Sequence, residues 1–214
     1  MNLLRNMSIS AAVLSVFAIT GTSLVAWTFY STQERIAENE RQVLLTQLHA
    51  LILPSEHDNK LDEDVINVIA PEQLGSKKSV AIFRARKDDK PVAAIISSVA
   101  PDGYNGDIHL LVAIRYNGQL AGVRVIKHRE TPGLGDAIDA SRSAWIKSFD
   151  KKSLTQPTTR DWKVKRDGGI FDQFTGATIT PRAVVNAVHK TLLYYQQQRD
   201  KLFASSEVKH ATDH

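Results

Sequence analysis

Three threonine hydroxyls, at 175, 178 and 180, fall within six residues of the segment DQFTGATITPRAVVNAV (Asp172 to Val188), around a Gly176-Ala177 pair. One hydroxyl is enough to cap a helix. Thr180 followed by Pro181 predicts an N-cap and first helical residue, the hydroxyl accepting an orphan backbone N–H where proline needs no donor. Thr178 then lies just outside the first turn, where unpaired N–H groups and the helix dipole favour an anion such as phosphate. Capping needs neither Thr178 nor Thr175.

A second polar cluster is KHRETPGLGDA, Lys127 to Ala137. Pro132, Gly133 and Gly135 impose a close-turning loop, and the glycines remove side chains that would hold a flat ligand off the backbone. His128 and Glu130 bring polar groups to the same place. An ordinary Pro-Gly turn between a strand and a helix fits the same spacing. A dinucleotide loop does not, because the third glycine of G-x-G-x-x-G is missing, and no Walker pattern occurs. No catalytic residue and no metal ligand is assigned.

The elements that must position these clusters are legible around them. After Pro181 the apolar residues Val184, Ala187, Val188, Leu192 and Tyr195 recur at helical spacing, which predicts a long final helix lying on a sheet. Stretches near Val80 to Ala85, Val92 to Val99, Ile108 to Tyr116 and Leu120 to Lys127 predict strands. Lys87 to Lys90 and Asn117-Gly118 connect them, the second as a type I′ hairpin turn, so the sheet is antiparallel and the domain α+β. Between sheet and final helix, DAIDASRSAWIKSF (136–149) predicts a helix and DWKVKRDGG (161–169) a strand running into a turn. No internal repeat is present.

At the other end, no charged side chain occurs from Asn6 to Gln33, a run long enough to cross the hydrocarbon core of a bilayer. Trp27, Phe29 and Tyr30 cluster where an aromatic belt would sit, and Arg5 with the amino terminus favours a cytoplasmic start and an exported body. A cleaved signal peptide fits less well, since Leu24 stands where a small residue is wanted before a cut after Ala26. The expected organisation is a cytoplasmic N-terminus (1–6), a transmembrane helix (7–30), a juxtamembrane helix docking on the domain (31–53, stopped by Pro54), the folded domain (54–203) and a disordered polar tail (204–214).

Composition narrows the chemistry. A chain of 214 residues, 43% hydrophobic, holds one domain and an appendage. Its net charge of +4 is interleaved with acidic residues, which argues against nucleic acid as a partner. The absence of cysteine excludes disulfides, thiolate-bound iron-sulfur clusters, thioether haem and thiol catalysis in this chain. Any redox chemistry needs another cofactor.

The pattern Asp172-x-x-Thr175-Gly176-Ala177-Thr178 resembles the recognition motif of the covalent FMN-binding domain family, and HRETPGLG (128–135) resembles that family's other signature loop. With the N-terminal membrane helix and GYNGDIHLLVAI (103–114), the chain to about Phe203 is similar to the G subunits of Rnf (Rsx) electron-transport complexes. The C subunits of sodium-translocating NADH:quinone reductases are close relatives. No motif position departs from the pattern. The resemblance implies FMN joined through its phosphate to the Thr178 oxygen, and a flavin transferase that reads Asp172, Thr175, Gly176 and Ala177. It places His128, Glu130, Thr131, Leu134 and Gly135 beside the flavin. It also implies a single-pass bacterial inner-membrane protein with a periplasmic domain, relaying electrons beside other subunits of a complex that couples ferredoxin and NAD oxidation-reduction to ion movement. The competing expectations are a non-redox anchored module whose turn caps a helix or binds phosphate reversibly, and a self-contained flavin reductase, for which no nicotinamide site is visible.

Overall fold

The structure, a computed structural model, describes residues 2–204. It divides into two units, Met1–Thr46 and Gln47–His214. The tail expected to be disordered lies, from residue 205, outside the described residues.

The first unit is one helix, most of α1 (Asn2–His49). The most apolar 18-residue window of α1 has a mean hydropathy of 1.9, enough in length and composition to cross a membrane. Three of its hydroxyls do not demand water: Ser15, Thr20 and Thr28 donate to the carbonyls of Ala11, Val16 and Leu24 at 2.8–2.9 Å. A polar side chain bonded back onto its own helix can sit in hydrocarbon without an unsatisfied donor. The helix expected over 31–53 is continuous with this one and stops at His49.

In the second unit five strands form an antiparallel meander in the order β1 (Val65–Val68), β2 (Val80–Lys87), β3 (Lys90–Ala100), β4 (Ile108–Arg115), β5 (Leu120–Lys127). A short helix, α2 (Pro71–Leu74), joins β1 to β2. One sheet face buries Ile82, Ala94, Ile96, Leu110, Val112 and Ile114 beneath α3 (Ile179–Phe203), which presents Val184, Val188, Leu192 and Tyr195 as its spacing required. The opposite-parity residues Phe83, Ala93, Ile95, Leu111 and Ala113 are buried too, as are Leu48, Leu51, Ile52 and Leu61. At the far end of α3, Arg84 and Arg86 donate to the Leu202 and Phe203 carbonyls at 3.1 and 3.2 Å, and Asp64 pairs with both arginines. Two cations thus meet the negative end of the helix.

Several local expectations are corrected. The short β1 edge strand has no counterpart among the expected strands. Asn117-Gly118 does mark the β4–β5 hairpin, but only Gly118 has positive φ (86°), and its N–H closes a turn on the Arg115 carbonyl. The type I′ geometry belongs instead to Asp88 and Asp89, at φ 50° and 58°. The helix expected over 136–149 is two 3-10 turns, Gly135–Ile138 and Trp145–Phe149. Polar side chains intervene: Asp139 accepts the Ser141 N–H (2.8 Å), while Ser143 donates to the Ala137 carbonyl (2.6 Å) and accepts the Trp145 N–H (3.1 Å). The strand expected over 161–169 is a hook. Trp162 and Val164 are buried and Lys163 and Lys165 exposed, so the alternation is real. Val164 has only one bridge, to Phe171, before a 3-10 turn at Lys165–Asp167 closed by Gly168 at φ 84°.

Candidate functional site

A cleft of about 540 Å³ opens where three pieces of the second unit meet: the turn after β3, the loop after β5, and the chain around the start of α3. Tyr104 comes from the first, Glu130, Thr131, Leu134 and Gly135 from the second, and Arg166, Gly176, Ala177, Thr178, Ile179, Thr180 and Arg182 from the third.

The first two pieces make a wall fastened from inside. Glu130 is 5% exposed. Its carboxylate accepts the Thr180 hydroxyl in a short hydrogen bond and the Asn105 N–H at 3.0 Å, and the Asn105 amide donates to the Thr131 hydroxyl at 3.1 Å. A Cβ on Gly135 would lie 2.7 Å from Glu130 Oε2 and 2.9 Å from Thr180 Oγ1, so glycine is required for the loop to close over this pair. The loop's bend is set by Gly133 at φ 77°, whose N–H donates to Asp136 Oδ1 at 2.8 Å. His128 is half-buried and turned inward, its Nδ1 accepting the Glu130 N–H at 3.1 Å.

The third piece corrects the assignment of the hydroxyls. Helix α3 begins at Ile179, so Thr178 holds the N-cap position and Thr180 lies inside the first turn. Proline is tolerated at 181 because the first N–H groups of a helix have no intrahelical partner. Thr180, fully buried, spends its proton on Glu130. A buried carboxylate without donors costs more than an uncapped helix end, so the carboxylate takes the hydroxyl. Thr178 makes no capping hydrogen bond through its side chain and stands half-buried at the cleft, at the positive end of a 25-residue helix.

The hook supplies the charges. Asp167 holds Arg182 through two bonds, 2.6 and 2.9 Å, which keeps the Asp167 carboxyl below its ordinary range and pushes the guanidinium up. Arg166 lines the cleft, and its guanidinium has no hydrogen-bond or ion-pair partner among the described residues. Lys165 pairs with Asp172 at 2.5 Å. Trp145 grips the same segment, its indole N–H donating to the Asp172 carbonyl (2.7 Å) and its ring meeting Phe174 edge-on at 5.2 Å. A turn closed by the Ala177 N–H on the Phe174 carbonyl, with Gly176 at φ 80°, then carries the chain to Thr178.

The two sequence clusters, 50 residues apart at Glu130 and Thr180, thus meet in one place. Seven of the expected residues line the cleft: Glu130, Thr131, Leu134, Gly135, Gly176, Ala177 and Thr178. Asp172, Thr175 and His128 do not. The sequence missed Tyr104, Arg166, Ile179 and Arg182. Arg182, one helical turn after Thr178, could have been found by spacing, whereas Arg166 could not, since a strand was expected there. Chemically, a hydroxyl with no capping bond, a helix N-terminus and a guanidinium without an ion-pair partner among the described residues suit a phosphate, and the exposed Tyr104, Leu134 and Ile179 suit a flat apolar ring.

Comparison with known proteins agrees with this chemistry. The FMN-binding domain family matches residues 103–193, and the RnfG N-terminal region matches residues 1–51. The G subunit of the ion-translocating oxidoreductase complex of Pseudoalteromonas atlantica is 47% identical over 91% of this chain and 90% of its own. Its namesake from Pseudomonas aeruginosa is 45% identical over 95% of both chains, and that of Vibrio cholerae 46% identical over 89% and 90%. Among solved structures, Shewanella oneidensis NqrC aligns with a TM-score of 0.47 at 22% identity, covering 69% of this chain and 76% of that one.

Proposed function

Because the chain belongs to the family of G subunits of ion-translocating oxidoreductase complexes, we propose that it carries FMN joined through a phosphoester to Thr178 and relays electrons within such a complex. At its broadest, its function is that of a membrane-anchored, FMN-binding electron-transport subunit. Residues 7–30 are the span, the remainder of α1 to His49 the juxtamembrane helix and 54–203 the FMN-binding domain, and Arg5 with residues 1–6 on the cytoplasmic side favours a periplasmic domain. The complex couples ferredoxin and NAD electron transfer to ion movement through its other subunits, and the isolated chain turns over no soluble substrate.

One observation carries the covalent assignment: of the hydroxyls at the start of α3, Thr180 is buried and committed to Glu130, while Thr178 faces the cleft uncommitted. FMN supplies one- and two-electron chemistry at its ring. The chain's own residues bind and orient it. Thr178 Oγ1 holds the phosphate at the helix N-terminus, where the dipole stabilises its charge. Leu134, Ile179 and Tyr104 offer apolar surface and exclude water. Glu130 keeps the 128–135 loop at a fixed distance from α3. A threonine hydroxyl is a weak nucleophile, so an external flavin transferase must activate it, reading Asp172, Thr175, Gly176 and Ala177.

The test is intact mass and in-gel fluorescence of the full chain made with its transferase. Wild type and Thr178→Ser should carry one flavin, the serine variant less completely, and Thr178→Ala none, with unchanged circular dichroism. A flavin still bound covalently to Thr178→Ala would place the attachment elsewhere.

A further inference from the structure

Three consecutive residues of the Lys165–Asp167 turn each hold a different part of the chain on either side of Thr178. Lys165 pairs with the Asp172 carboxylate, the Arg166 N–H donates to Gln173 Oε1 at 3.3 Å, and Asp167 clamps Arg182 in the first turn of α3. Charge is distributed unevenly among them. The Lys165–Asp172 and Arg182–Asp167 pairs each sum to zero, which leaves the Arg166 guanidinium, among the described residues, as a cation without an ion-pair or hydrogen-bond partner lining the same cleft as Thr178. A phosphodiester carries one negative charge, and a guanidinium presents a planar fork of donors that matches its two free oxygens.

We propose that Arg166 is the phosphate-binding residue of this site, aimed by the hook that carries it, and that it acts both during attachment and afterwards. The inference rests on Thr178 being the acceptor. In that transfer the Thr178 Oγ1–P bond forms and the P–O bond joining the FMN phosphorus to the AMP half of flavin adenine dinucleotide breaks. AMP leaves with that bond's electrons, and the hydroxyl proton passes to the transferase. The charge that must be met at Thr178 therefore grows from a hydroxyl's to a diester's, with Arg166 in the same cleft. Nothing in the strand-like pattern WKVK advertises this role, because it arises only when the strand fails to find a neighbour and turns back.

Full-length chain in detergent, made without flavin and then incubated with purified transferase and flavin adenine dinucleotide, provides the test. Arg166→Gln should load at least about fivefold more slowly than wild type, and Arg166→Lys, which keeps the charge but not the fork of donors, should fall between the two. After exhaustive loading, the ³¹P resonance of the diester should differ between wild type and Arg166→Gln, a signature that a scaffolding role would not produce. Loading of Arg166→Gln at the wild-type rate with an unshifted ³¹P resonance would overturn the proposal. Absence of flavin from wild-type Thr178 would instead overturn the attachment site itself and remove the basis for a phosphate ligand at Arg166.

Discussion

The two walls of the cleft are built by opposite means. On one side Glu130, Thr180, Asn105 and Gly135 lock together through hydrogen bonds to a carboxylate that is 5% exposed. On the other, the hook meets the segment before Thr178 through an ion pair whose partners stay wet, Lys165 57% and Asp172 68% exposed. Buried hydrogen bonds to a charge are costly to break, whereas solvent-exposed pairs contribute little and open readily. A wall of the first kind suits a surface that must keep its shape against a ring. A wall of the second kind would suit the proposed attachment, in which a transferase reaches and modifies the segment.

That contrast can be broken most directly at Glu130. Replacing it by alanine leaves the Thr180 hydroxyl and the Asn105 N–H unpaired in a hole, and should cost about 3 kcal/mol, lowering the melting temperature by roughly 10 °C. A melt within a degree or two of wild type would mean that the wall is not fastened there. Thr180→Val, which keeps the shape and removes the hydroxyl, should cost about 1–2 kcal/mol in urea unfolding while flavin still attaches. If it were neutral and Thr178→Val were the destabilising change, the two hydroxyls would have exchanged roles.

A third test uses pH. His189 stacks on Trp162, at 5.4 Å between ring centres, behind the hook, and burial holds its pKa below the ordinary 6.5. The unfolded chain then binds the proton more tightly than the fold does. The stability His189 contributes is complete above 6.5 and is lost as pH falls from there through its lower folded value. His189→Phe should flatten the urea midpoint below pH 6.5 relative to wild type, and identical slopes would exclude a buried neutral imidazole. The smallest effect belongs to the exposed wall: Lys165→Met should change stability by less than about 0.5 kcal/mol. A larger loss would show that this wall, too, depends on its fastenings.

How much of this was legible depended on how local the signal is. Four strands and the long final helix follow from period-2 and helical spacing, and the N-terminal helix from an uncharged run, patterns that need no knowledge of what lies opposite. The 136–149 stretch misled because Asp139 and Ser143 bond to nearby backbone and outcompete a helix whose propensities looked adequate. Residues 161–169 misled because alternation predicts which side chains are buried and says nothing of whether a partner strand is available. The threonines misled most instructively. Thr180-Pro181 is a sound capping signal, and it lost to a carboxylate 50 residues earlier in the chain.

By itself, the sequence determined that an apolar helix precedes an α+β domain, that thiol chemistry is absent, and that two polar, glycine-bearing segments lie at the ends of a strand and a helix. These depend on composition, periodicity and backbone preference, each a property of neighbouring residues. Only the tertiary structure decided that the segments share one cleft, that Thr180 serves the core while Thr178 faces the cleft, and that Arg166 lines it with no ion-pair partner among the described residues. Those outcomes turn on which buried charge finds which donor. That competition is settled by burial and distance across the fold, since a donor's value to a carboxylate rises steeply once water is excluded from both.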